Sequence, residues 1–210
     1  MLKVYFILLF MSLTAIAQTP ILDLHTSHFG HVENAYYKDI ENFYNQFEGT
    51  WVYTDATQTI RLRFVKKEMI YSNDVTPFYS DYLVGEMQYI ISEFEIFNSL
   101  PNLNNNYSDM FKYNLVDIGK IRYQTYPICT ECPSDVKRLS MRYDEPTNND
   151  LGLSAEFVMR IEVENGFPKL KVQYELRSGP QGINKNNFDL PSTTTDFAIP
   201  YGNYTFVKED

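Results

Sequence analysis

From residue 59 the chain alternates. Ile60, Leu62 and Phe64 point one way and Thr59, Arg61 and Arg63 the other, the period-two pattern of a strand with one wet face. Leu83, Met87, Tyr89 and Ile91 continue the pattern. It is clearest between residues 155 and 176, where Phe157, Met159, Ile161 and Val163 share a face, Asn165-Gly166 supplies a tight turn, and Leu170, Val172, Tyr174 and Leu176 return. That arrangement predicts a β-hairpin. Further strands are expected over 50–54, 94–98, 120–125, 137–143 and 203–208. Segments 98–109, 144–151 and 178–195 are rich in Asn, Ser, Pro and Gly and read as long loops. About nine short strands separated by turn residues predict a mainly β chain folded as one antiparallel barrel or sandwich.

Before residue 49 the period differs. Tyr36, Tyr37, Ile40, Phe43, Tyr44 and Phe47 recur at spacings near three and four, which predicts a short amphipathic helix over 33–47. Residues 18–32 show no period and read as a flexible leader. At the start, Lys3 precedes an apolar run from 4 to 13 and then Ala15-Ile16-Ala17. This is the pattern of a secretory signal peptide cleaved between Ala17 and Gln18. The run is too short for the roughly 20 residues that span a bilayer, so no membrane span is expected. The organisation read from the sequence is therefore a signal peptide at 1–17, a leader at 18–32 and one barrel domain at 33–210, exported to a periplasmic or extracellular compartment.

The stretch Asn45-Gln46-Phe47-Glu48-Gly49-Thr50-Trp51 carries an aromatic segment into Gly-Thr-Trp and then a strand. It resembles the Gly-x-Trp entry of lipocalin-like barrels, and that resemblance implies that Trp51 plugs the closed end beneath the first strand. With the export signal, the segment Leu83-Val84-Gly85-Glu86-Met87-Gln88-Tyr89 and a short terminal strand, the chain also resembles a family of exported, lipocalin-like proteins from Bacteroidetes. The likeness implies a fold and no activity. Lipocalins usually place an Arg on the last strand over the Trp, whereas residues 201–210 offer only Lys208. On physical grounds Gly49 and Trp51 read as structural, one easing the chain into the strand and the other filling space.

The formal net charge of −9 argues against a nucleic-acid partner, which needs clustered cations to neutralise phosphates. Cys129 and Cys132 flank Thr130-Glu131, and in an exported chain with no other cysteine they most simply form a structural disulfide. A redox pair needs a helix N-terminus, and two thiolates supply half of a zinc site. His25, His28 and His31, near Asp23 and Glu33, are weak metal ligands at a spacing of three, so no metal site is assigned. Glu93 with Glu95 and Glu162 with Glu164 sit at strand spacing on the wet face. Nucleotide and metalloprotease motifs are absent, so neither a cofactor nor a catalytic residue is assigned.

The reading that remains is an exported, non-enzymatic barrel binding a small apolar molecule, with Phe64, Tyr89, Phe157, Met159 and Tyr174 as interior candidates for contact. The same side chains suffice to fill the interior. The alternative is an interaction or structural protein of the cell envelope that presents Phe78, Tyr79 and Tyr82 to a partner. An enzyme is the least favoured reading.

Overall fold

The computed structural model describes residues 19–122 and 124–209. The expected signal peptide, 1–17, and its expected cleavage point lie outside the described residues. Within them the strands are β1 (Ile21–Asp23), β2 (Tyr36–Lys38), β3 (Gly49–Thr54), β4 (Gln58–Ser72), β5 (Phe78–Ile91) and β6 (Phe94–Asn98). They continue with β7 (Leu115–Arg122), β8 (Lys137–Tyr143), β9 (Ser154–Glu164), β10 (Phe167–Ser178) and β11 (Gly202–Glu209). Eight of them pair antiparallel in the order β5, β4, β3, β11, β10, β9, β8, β7. The ring closes where β7 returns to β5 through Val84 opposite Val116 and Gly85 opposite Leu115. A closed antiparallel barrel removes the exposed edges that an open sheet must manage.

The β9–β10 hairpin matches its sequence pattern, with Asn165 at φ 54° and Gly166 at φ 83°. Two left-handed residues between paired strands match the right-handed twist of the flanking chain, which is why Asn-Gly is favoured there. Around residue 120 the pattern misplaced the strand, which is β7 at Leu115–Arg122.

No α-helix forms over 33–47. The segment is β2 followed by a 3-10 turn at Phe43–Gln46. Asn34 and Asn42 have φ of 57° and 53°, which an α-helix does not admit. Tyr, Phe and Asn are weak helix formers, and a helix of this length is marginal unless packing supports it. Pairing of Tyr36 with Tyr79 and Tyr37 with Ser80 satisfies the backbone instead. Within 18–32, expected as a leader, β1 runs parallel to β2, the amide of Leu24 bonds Lys38 O at 2.9 Å, and the Leu24 side chain is buried.

Trp51 is fully buried on β3 and donates its indole N–H to Phe47 O at 2.7 Å. β11 pairs with β3 and sets Lys208 opposite Trp51, with the ammonium 5.3 Å from a ring centroid. Lys208 thus occupies the place for which the sequence offered no Arg. Gly49 has φ +103°, and a Cβ there would lie 3.1 Å from Lys208 Cε, so this glycine both turns the chain and clears space.

The core is aromatic. Phe157 and Tyr174 stack at 4.5 Å, Tyr143 meets both edge-on, and Phe197, from the long connection before β11, packs 5.3 Å from Tyr143. Eight strands enclose an interior that side chains can fill, and these rings fill it. The Tyr174 hydroxyl is buried without a hydrogen-bond partner. An unmet buried hydroxyl costs free energy. Tyr174→Phe is therefore expected to raise the unfolding free energy by about 1 kcal/mol in urea titration. A loss of similar size would mean that a bound water or ligand serves that hydroxyl.

Candidate functional site

β5 is longer than its pairing with β7. Its first residues pair with β2, its middle with β7 and its end with β6. Below the two closing pairs, β5 and β7 therefore part. A cleft of ≈ 520 Å³ opens between them, walled by the chain that follows β1. Its apolar lining includes Leu24, Phe29, Phe78, Tyr82, Phe111 and Ile118. Its polar lining includes His25, Tyr44, Ser80, Asp81, Asp117 and Lys120.

Behind the cleft lies a set of buried charges. Asp81 accepts from Tyr36 Oη at 2.6 Å and from the amides of Asp39 and Met69 at 3.0 and 3.1 Å. Asp39 accepts from the amides of Phe43 and Tyr44 at 2.8 and 2.9 Å, which anchors the 3-10 turn. The Lys66 ammonium stands 3.7 Å from Asp39 and 3.8 Å from Asp81. Both carboxylates are thus tied to amides and a cation, as buried charge requires. The bulge between Lys67 and Ile70 on β4 turns the Met69 amide toward Asp81, at φ 55°.

Asp117 is placed differently. It accepts from Tyr44 Oη and from the Leu83 amide, the latter at 2.8 Å. Burial raises its pKa to about 7, with the hydrogen bonds pulling the other way. Burial, then the Asp117 charge, pushes the Tyr44 phenol far up. On the far half of β5, Glu86 is buried with Oε2 unpartnered, and burial lifts it to about 7 as well. His25, on the cleft wall, packs edge-on to Phe43 and Tyr44. Its Nε2 is buried without a hydrogen-bond partner, 3.9 Å from Asp39 Oδ1. Burial, then Lys120, holds its pKa below the ordinary imidazole value.

These displacements set a pH dependence. A carboxyl whose folded pKa is raised binds its proton more tightly when folded, so it stabilises most below about pH 4 and loses that contribution as pH rises toward 7. His25 acts oppositely, since a lowered folded pKa destabilises as pH falls through the imidazole range. Two large displacements outweigh one smaller one. The melting temperature is therefore expected to rise between pH 8 and 5.5, and Asp117→Asn with Glu86→Gln should flatten that slope. A slope of the opposite sign in the unsubstituted protein would contradict the assignment.

The residues singled out from sequence fall into three places. Phe64, Tyr89, Phe157, Met159 and Tyr174 all lie in the packed core and none lines the cleft. Phe78, expected as an exposed partner contact, is 5% exposed and packs against Phe29 and Tyr37, because β2 covers the start of β5. Tyr82 lines the cleft, and Tyr79 is half-buried against Tyr71. Of the histidines, His25 enters the cleft while His28 and His31 are exposed, with rings 6.2 Å apart. Glu162 and Glu164 pair with Arg160 and Lys171 on β9 and β10.

Cys129 and Cys132 form a disulfide in the loop between β7 and β8. The buried guanidinium of Arg138 holds that loop, donating to the carbonyls of Arg122, Thr125 and Pro127 and to Gln173 Oε1. Glu131, between the cysteines, pairs with Arg160 at 3.2 Å. The bridge lies among structural contacts.

Asp39, Asp81 and Asp117 went unmarked in the sequence reading. Aspartate is depleted from strands, so Asp81 between Tyr79 and Leu83, and Asp117 between Val116 and Ile118, carried a readable signal of unusual surroundings. Among the described residues no helix is long and apolar enough to cross a membrane. The family described as a family of unknown function (DUF6705) matches residues 1–209. No curated protein and no solved structure matches the chain.

Proposed function

We infer that this chain, which belongs to the DUF6705 family of unknown function, is an exported binding protein whose barrel is a scaffold for a small apolar or aromatic molecule held in the lateral cleft. One observation carries the reading: a cleft of ≈ 520 Å³, rimmed by the exposed rings of Phe29 and Phe111, stands where the strands part, while the core beside it is filled by its own aromatic side chains. A concavity of that size, with apolar walls and a few convergent polar groups, is the usual form of a small-molecule site. This moves the expected contacts from the barrel interior to its flank. Export is supported by the signal-like N-terminal pattern and by the disulfide, which suits an oxidising compartment.

Native mass spectrometry of protein purified from the extracytoplasmic fraction of its host tests both parts. The expected species begins at Gln18, is lighter than the reduced chain by two hydrogens, and carries a small-molecule adduct that Phe29→Ala or Phe111→Ala removes. An adduct untouched by those rim substitutions would place the ligand elsewhere. A species retaining residues 1–17 would remove the export reading.

The envelope-interaction alternative keeps one specific support. Phe188 and Leu190 are 72% and 53% exposed on the long connection before β11. Asn149 accepts from the amides of Thr193 and Thr194, and Asp150 from those of Gln181 and Gly182, so the apolar tip is held in one shape. Preorganised apolar loops suit partner contacts. Phe188→Ser with Leu190→Ser should abolish any envelope protein that co-purifies and leave the small-molecule adduct intact.

A further inference from the structure

We propose that the lateral cleft takes an organic cation with an apolar body, the ammonium of an aromatic or alkyl amine, seated beside Asp117 and flanked by the rings of Phe29, Phe78 and Phe111. The proposal rests on the cleft being the binding site and adds the charge of its occupant.

Three observations converge on a cation. First, the acids of the cleft differ in what already serves them. Asp81 is met by a phenol, two amides and the ammonium of Lys66. Asp117 is met by a phenol, the Leu83 amide and its own amide, with no cation among them, and the neighbouring charge that acts on it is a second carboxylate, Asp39. A carboxylate largely withdrawn from water is stabilised by an opposite charge, and at the half-buried Asp117 the ligand can bring it.

Second, the basic group of the lining is spent. The Lys120 ammonium bonds Glu41 at 2.6 Å and lies 4.7 Å from the centre of the Phe43 ring. An anionic ligand would meet Asp117 and Asp81 without a free counter-charge. An ammonium would meet the negative faces of aromatic rings, an arrangement that favours cations. The overall charge of −9 also draws cations toward the chain.

Third, the imidazole on the cleft wall adds no positive charge. The His25 side chain is 10% exposed and lines the cleft, and burial holds its pKa below the ordinary value, so it stays neutral where a protonated ring would repel an ammonium. A purely apolar ligand would bring Asp117 no counter-charge.

The pairing carries its own pH dependence. Asp117 is faced by Tyr44 and Asp39 from the turn, by Asp81 and Tyr82 from β5, and by Lys120 on its own strand. The cation favours the ionised form of Asp117, so its affinity should fall as Asp117 takes up its proton below about pH 7.

Isothermal titration calorimetry with phenethylamine, phenethyl alcohol and 3-phenylpropanoate, and with their naphthyl counterparts, decides the matter on the full mature chain. The amines are expected to bind roughly ten-fold more tightly than the alcohols, a factor one cation–ring contact or ion pair can bring. The carboxylates should not bind, and the amines should weaken from pH 8 to pH 5.5. Asp117→Asn should bring the amine down to the affinity of the alcohol, and Phe111→Ala, at the exposed rim where folding is not at stake, should weaken both. Alcohols binding as well as amines would overturn the cation and leave the apolar cleft standing. Failure of all six probes to bind would overturn the cation and count against the cleft itself.

Discussion

Trp51→Ala is expected to lower the unfolding free energy by about 4 kcal/mol, the range for a large aromatic deleted from a packed core. For a chain of this size that corresponds to a fall in melting temperature of roughly 8–16 °C. Trp51 is fully buried, its indole N–H satisfies the Phe47 carbonyl, and its ring carries the ammonium of Lys208. Removing it opens a cavity and frees the contact between β3 and β11. Two partial variants divide the loss. Trp51→Phe keeps most of the apolar area and deletes the N–H, so it should cost about 1–3 kcal/mol. Lys208→Met removes the cation and should cost about 1 kcal/mol or less. Because Trp51 is the only tryptophan, unfolding of its variants must be followed by far-ultraviolet circular dichroism rather than by indole fluorescence. If Trp51→Ala unfolds within about 1 kcal/mol of the parent, the ring does not carry the packing of this part of the core.

The second large effect is expected at Gly85, where the barrel closes. Its neighbours across the two seams are Phe64 on β4 and Leu115 on β7. A Cβ on Gly85 would stand 2.6 and 2.7 Å from Phe64 ring carbons and 3.2 Å from Leu115 Cβ. In an unstrained strand, replacing glycine by alanine would gain about 0.5–1 kcal/mol by restricting the unfolded chain. The Phe64 ring is 1% exposed and has no solvent to move into, so overpacking costs about 1–3 kcal/mol or more and wins. Gly85→Ala should therefore destabilise, and Gly85→Val more so. Phe64→Leu, harmful alone, should recover at least about 1 kcal/mol in the Gly85→Ala background, since neighbours that share space are not additive. An additive double-mutant cycle would show that Gly85 is needed for some other reason.

These two positions stand at opposite ends of what could be read in advance. The burial of Trp51 was legible because a single large aromatic at the entry to an apolar strand most simply serves the core. The β9–β10 hairpin was legible because Asn165-Gly166 and the flanking alternation agree, and both are local. The disulfide followed from two cysteines three residues apart with no competing thiol. Gly85 carried no such mark. Its role depends on which residues lie across two seams, and these come from positions 64 and 115.

The cleft was hidden for the same reason. Its lining is drawn from segments more than ninety residues apart, and it exists because β5 leaves β7 after two residue pairs to meet β2 instead. The aromatic spacing that suggested a helix over 33–47 has another cause: Tyr37, Tyr44 and Phe47 pack into the core, while Tyr36 is buried with its hydroxyl on Asp81. Spacing alone does not distinguish those outcomes, because pairing partners compete with local periodicity and here they win.

By itself the sequence determined the mainly β class, the tight hairpin, the buried tryptophan, the cysteine pairing and the acidic charge balance. All of these follow from residue type and short-range spacing. The tertiary structure alone decided where the barrel closes, that Lys208 covers Trp51, that the rings chosen as ligand contacts pack the core, and that Asp117 meets a cleft. Those are questions of which distant residues become neighbours, and they are answered when the strands choose their partners.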